Sequence, residues 1–184
     1  MGAGMKPSDE LMHEHEIILH MLSGAEHLAQ SILSTDDVEI AKVKDIIDFS
    51  RNFTDGCHHR KEEKHFFLKL QERGMSGEQG PIAVMLYEHS AGRNLIQGLD
   101  SALKDYEAGK PEAKLTINQI LLEYVELLRA HIAKENNILF PMGDRILTEE
   151  DQETLEASFK KVEEQDVAAG VHEKYHKLAH KIGG

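Results

Sequence analysis

Residues 58–67 read HHRKEEKHFF and residues 131–140 read HIAKENNILF; the two stretches match at His58/His131, Lys61/Lys134, Glu62/Glu135 and Phe67/Phe140. In each, a glutamate follows a histidine by four residues, a spacing that sets both side chains on one helix face, one turn apart. The surrounding apolar residues recur with the helical period, so that face is also the one turned to a core. A buried carboxylate without a partner costs several kcal/mol. Two of them on core stripes therefore call for something cationic between them, and a pair of di- or trivalent metal ions meets that need. Imidazole and carboxylate suit iron, manganese or zinc, whereas the absence of thiolates near the set argues against iron–sulfur or structural zinc sites. The helical register selects His58 over His59 as the inward residue.

Working outward, two further segments carry a histidine on their apolar stripe. One starts at Ser8 and places Leu11, His15, Ile18, Leu19 and Leu22 together, ending near Leu33. The other opens at Pro81 and aligns Ile82, Met85, His89, Ile96 and Leu99 before Gly109 stops it. The His58 segment begins with Thr35 as N-cap and runs through Val43, Ile47, Thr54 and Phe66 to Arg73; the His131 segment begins near Pro111 and is closed by Pro141. These four stretches with short connections predict an all-α, up-down-up-down four-helix bundle over residues 8–142. Residues 146–184 are too few for a core of their own and read as a C-terminal helical extension packed on the bundle: a stretch from Thr148 to Glu164, then a helix from Ala168 to Ile182.

Composition narrows the function classes. In 184 residues there are 21 Lys and Arg against 33 Asp and Glu, a net charge of −12, and 12 histidines. That balance disfavours nucleic-acid and anionic-membrane partners. No apolar run is long enough to span a bilayer, and Met1 to Lys6 lacks both a leader core and a lipidation signal, so neither leader nor anchor is expected. The single Cys57 excludes an internal disulfide framework and fits a reducing cytoplasm; it reads as a small core residue. Met12, Met21, Met85 and Met142 read as core filler. No nucleotide fingerprint or Ser-His-Asp order is present.

The stretches EHEIILHML around His15, HHRKEE around His58, MLYEH around His89 and HIAKENNILFP around His131 together resemble the hemerythrin-like, or HHE cation-binding, domains. The order is specific: one histidine, His-x-x-x-Glu, one histidine, His-x-x-x-Glu. The resemblance implies a four-helix bundle around a non-haem di-iron centre, with an oxo or hydroxo bridge. It assigns His15, His58, His89 and His131 as nitrogen donors and Glu62 and Glu135 as bridging carboxylates. Zinc and manganese accept the same donors. Oxygen-carrying members carry a further histidine one turn after the third-helix histidine; Arg93 stands there in this chain, and Asn136 stands where they have Asp. The replacement candidates are His59, His172 and His176, or solvent at an open position. Arg93 reads as a plain surface salt bridge ahead of a partner of Glu88 or Glu135, and Glu63 as solvated.

The expected function is reaction with, or sensing of, a small diatomic or peroxide (O2, NO or H2O2) in stress response or iron handling. The alternative is a structural or regulatory cation-binding module that signals to a protein partner through its last helix. His13, His20, His27 and His65 read as rim or surface residues or as hydrogen-bond donors behind the ligands, and the His172, His176, His180 stripe as a surface metal site or the polar face of a terminal helix.

Overall fold

The computed structural model describes residues 5–166 and 171–183, and all of its regular structure is helical. Helix α1 is Pro7–Thr35; α2 spans 40–72, α3 is Pro81–Glu107, α4 spans 113–146, α5 spans 149–166 and α6 is Val171–Gly183. Helix α4 packs along α1 and α3, and α2 completes the circuit by touching α3 and α1.

Two apolar clusters lie at opposite ends of these helices. The larger holds Leu22, Leu28, Ile46, Phe53, Leu99, Leu121 and Leu128; the smaller holds Leu11, Phe66, Phe67, Ile82, Met85, Leu139 and Phe140. Along α1 and α3 the chain passes from the smaller cluster to the larger, and along α2 and α4 it returns. Each crossing carries the chain through one level, and His15, His58, His89 and His131 all sit there. Helix α5 covers the smaller cluster with Leu155 and Phe159, while α6 adds Tyr175, Ala179 and Ile182 to the larger. Burying side chains of this size stabilises by about 1.5–3 kcal/mol each, so both segments from the C-terminal part are integral to the packing.

Several boundaries differ from those the sequence suggests. Thr35 does not cap the second helix: its hydroxyl donates back to the Ser31 carbonyl (2.9 Å), Asp36 adopts φ 62° and ends α1, and α2 starts only at Ile40. Pro141 does not close α4, which continues to Ile146. A π-helical turn over Glu135–Leu139 immediately precedes it, and the shifted hydrogen-bond ladder accommodates the missing proline N–H. The same turn leaves Ile138 50% exposed and Leu139 buried. Met142 is likewise exposed at the edge of the core, while Met21 and Met85 are buried. The predicted start of the last helix at Ala168 lies outside the described residues.

Helix α5 is fastened at its start, where the Thr148 hydroxyl accepts from the Asp151 N–H and Arg73 grips the Asp151 carboxylate through two bonds of 2.6 and 2.9 Å. Helix α6 crosses α1 at Gly24, where a Cβ would lie 2.1 Å from the Ile182 carbonyl oxygen. Gly24→Ala is therefore expected to push α6 off α1 and cost about 1–3 kcal/mol. Hydrogen exchange should show faster exchange across 171–183 with little change at the level of the four histidines; unchanged protection of α6 would refute this account of the crossing.

Candidate metal centre

Between the two apolar clusters the helices deliver a polar layer that is almost dry. His15, Glu62, His89 and Glu135 are 0% exposed, His58 and His131 1%, and His59 4%. Their ligating atoms form two groups within each of which all atoms lie within 4.8 Å of one another: His15, His58, Glu62 and Glu135 in one, His59, Glu62, His89 and His131 in the other. Glu62 belongs to both. Glu135 also reaches across, with Oε2 3.2 Å from Nε2 of both His15 and His131 and Oε1 4.0 Å from Nε2 of His89. All six residues singled out by the repeat and its flanking histidines thus converge, and so does His59.

The inclusion of His59 corrects the register argument that kept only His58. Helix α2 is π-helical over Ser50–His59 and again over Glu62–Phe66. The wider π turn advances the face differently from an α-turn, so two successive histidines both face inward. His59 stacks on His89 with ring centroids 3.8 Å apart. The second π turn of α2 starts at Glu62 and that of α4 at Glu135, so each carboxylate of the centre opens a widened turn.

Four outward ring nitrogens are held by a closed circuit that the sequence reading did not find. His58 Nδ1 donates to Glu14 (2.8 Å), His89 Nδ1 to Glu63 (2.8 Å), His131 Nδ1 to Glu88 (3.0 Å) and His15 Nδ1 to Asn136 Oδ1 (2.7 Å). Helix α1 thus orients a ring of α2, α2 one of α3, α3 one of α4, and α4 one of α1. Each acceptor is the chain neighbour of another metal-facing residue: Glu14 of His15, Glu63 of Glu62, Glu88 of His89, Asn136 of Glu135. That adjacency was the available signal. An Nδ1–H bond to a carboxylate or amide fixes the tautomer and leaves the Nε2 lone pair facing inward, the arrangement that metal-bound imidazoles show. Glu63, expected to be solvated, is instead part of this circuit.

Arg93 binds neither Glu88 nor Glu135. Its guanidinium spans Asp55 (2.7 Å) and Glu63 (2.6 Å), and Asp55 lies 3.4 Å from His59 Nδ1. His176 is exposed on α6 and belongs to neither donor group; the side chain of His172 lies outside the described residues. Cys57 is buried and its thiol is pushed up to about 12 by burial, which keeps it protonated and inert.

The donor set fits metal. Nε2 of His15 and both oxygens of Glu62 and Glu135 are buried with no hydrogen-bond partner, although they sit 3–4 Å from other polar atoms. Nε2 of His89 and Nε2 of His131 face each other at 3.1 Å. Lone pairs crowded without donors repel, and cations among them reverse the sign. Without metal, protons take that role. Burial and the nearby Glu135 hold the Glu62 carboxyl well above the ordinary range. Burial alone would lower His131, yet Glu135 and Glu88 raise it to about 9, whereas burial beside His15 lowers His58 to about 4.

A dry cage of imidazoles and shared carboxylates among helices defines the class: a metal-binding helical domain. The chain belongs to the hemerythrin HHE cation-binding domain family, whose model matches residues 6–143. It is 23% identical over 133 residues to uncharacterized proteins of Mycobacterium tuberculosis and Mycobacterium bovis, covering 72% of this chain and 51% of theirs. It is 33% identical over 87 residues to the iron-sulfur cluster repair protein YtfE of Escherichia coli, covering 46% of this chain and 39% of that protein. The chain spans about half the length of the curated relatives it matches. No solved structure matches it significantly.

Metal must displace the proton that His131, raised to about 9, holds at neutrality, and any that the raised Glu62 carboxyl retains. Loading the metal-free chain should therefore release protons, and affinity should rise with pH up to at least the His131 titration at about 9. Calorimetry in buffers of different ionisation enthalpy measures the release; loading without proton release would contradict this donor set.

Proposed function

We propose that the chain is an up-down-up-down four-helix bundle holding two non-haem iron ions, and that it reacts with or senses a small oxidant: O2, NO or H2O2. The observation that carries this reading is the pair of four-donor groups that share Glu62. The alternating passage of α1–α4 between the apolar clusters supports the bundle, and likeness to a protein named for iron–sulfur cluster repair supports iron over zinc or manganese. A reduced iron pair supplies electrons and a binding position for such a molecule.

The chain's own residues supply the setting. His15 and His58 with Glu62 and Glu135 would hold one ion; His59, His89 and His131 with Glu62 would hold the other. The outward acceptors Glu14, Glu63, Glu88 and Asn136 keep the rings from turning, and the apolar clusters keep bulk water and bulky reductants away. Access lies on the His59 side. A cleft of about 500 Å³ there is lined by Ser50, Thr54, His59, Gly92, Arg93 and Tyr124. The hydroxyls of Ser50 and Thr54 lie against the Tyr124 phenol, which burial pushes up to about 12, so it stays protonated. Small polar molecules are the size and kind this opening admits. No helix among the described residues is long and apolar enough to cross a membrane; with one buried thiol, we assign the chain to the cytoplasm.

The test is elemental analysis of purified protein with an optical spectrum before and after anaerobic reduction. We expect about two irons per chain and a near-ultraviolet charge-transfer absorption that bleaches on reduction and returns on exposure to the oxidant. Stoichiometric zinc with no such band would overturn the redox reading.

One observation favours regulation through the C-terminal part. Lys61, fully buried, donates at 2.7 Å to each of Glu10, Glu14 and Glu163. Glu14 holds His58, and Glu163 lies in the last turn of α5, so one ammonium joins a ring of the centre to the C-terminal segment. If the centre signals along this route, limited proteolysis after α5 should differ severalfold between oxidised and reduced protein. Equal cleavage in both states would leave turnover, not signalling, as the function.

A further inference from the structure

The centre uses His15, His58, His59, His89 and His131. A second group of histidines stands apart from it, where α6 crosses α1. His176 and His180 are four residues apart on α6 and so share a face; their ring centroids lie 4.8 Å apart. His20 of α1 meets that face, 4.6 Å from the His180 centroid. The three rings border a cleft of about 240 Å³ that His13 and Glu16 also line. Nε2 of His20 is buried against Gly183 of α6, where a Cβ would lie 2.7 Å from it, and has no hydrogen-bond partner; none of the three rings has an ion-pair partner among the described residues. The carboxylate that lines the cleft, Glu16, lies 3.4 Å from His13 instead, so the three imidazoles gain little from their surroundings: neutral rings leave lone pairs unused, and protonated rings repel.

We propose that His20, His176 and His180 form a second metal site, for a single borderline divalent transition ion of the zinc class, bridging α1 and α6. Neutral imidazole is the preferred donor of such ions, and two histidines at i and i+4 on a helix present adjacent nitrogens to one ion. With Glu16 taken up by His13, a water would complete the four-coordinate set. The trio is more open than the buried groups, whose ligating atoms all lie within 4.8 Å. His176 and His180 are exposed and turn freely, so closure onto an ion costs side-chain entropy but no repacking. The site is labile and exchangeable where the buried centre is not. An ion there ties α6 to α1 beside the tight Gly24–Ile182 crossing.

The test uses the metal-loaded full chain, titrated with zinc against a chromophoric chelator. One zinc beyond the metal of the buried centre is expected per chain. His176→Ala and His180→Ala should each weaken it by tenfold or more, His20→Ala likewise, and His27→Ala, exposed elsewhere on α1, should leave it unchanged. All four variants should retain the metal of the buried centre, which separates this result from failure of that site. Zinc should also slow hydrogen exchange across 171–183 in the parent chain but not in the His176→Ala/His180→Ala double variant. Absence of an extra zinc, or retention of it at full affinity in the double variant, overturns the proposal.

Discussion

Two carboxylates, Glu62 and Glu135, sit side by side in a fully buried layer, and none of their four oxygens has a hydrogen-bond partner. That constraint governs the rest of the molecule. Ionised and unpaired they would repel each other and suffer a desolvation penalty of several kcal/mol apiece. A protein of marginal stability tolerates such a layer only if cations occupy it in the working state or protons in the metal-free one. The apolar clusters on either side seal the layer from water, which raises both the penalty when cations are missing and the affinity when they are present. Metal loading and folding are thereby coupled.

The circuit of outward hydrogen bonds gives this layer its rigidity. Each of α1–α4 contributes a metal-facing imidazole and, one residue away from a metal-facing residue, the acceptor that fixes an imidazole of the next helix. A shift of one helix along its axis would misplace both a donor atom and its neighbour's acceptor, so the centre sets the register of the four helices as much as they set its geometry. Charged acceptors also make the rings more basic. One link differs, since Asn136 is neutral and holds His15 without adding negative charge. Glu14 already adds an anion through His58 on the side of the centre where Glu62 and Glu135 both contribute, and Asn136 keeps a second from being added there.

The helices and six of the inward residues were legible because α-helical periodicity places His15, His58, Glu62, His89, His131 and Glu135 on apolar stripes and the His-x-x-x-Glu repeat pairs two of them. Three kinds of feature were not. His59 was legible only as one of several replacement candidates, because the π turn Ser50–His59 breaks the period that would have placed it inward beside His58. The continuation of α4 through Pro141 was hidden for the same reason, since the π turn over Glu135–Leu139 absorbs a residue that otherwise ends a helix. Glu14, Glu63 and Glu88 look on paper like any solvated glutamates of a charged helix. Only the inter-helix contacts reveal that their carboxylates turn to imidazoles across the groove.

Arg93 shows how these gaps are connected. In its place the oxygen-carrying pattern has an imidazole one turn after the third-helix histidine, and a long cation at that position cannot serve as a ligand. An inward imidazole comes from α2 instead, where the π turn brings His59 onto the face of His89. The guanidinium then takes a role that an imidazole there could not fill. It bridges Glu63, which accepts from the outward nitrogen of His89, and Asp55, which lies 3.4 Å from that of His59, and so holds together the two carboxylates outside the stacked rings. It also lines the cleft beside them. The substitution that first set this chain apart from the oxygen-carrying pattern therefore goes with an inward imidazole from α2 in place of one from α3, and the vacated position becomes a support for the carboxylates outside the rings.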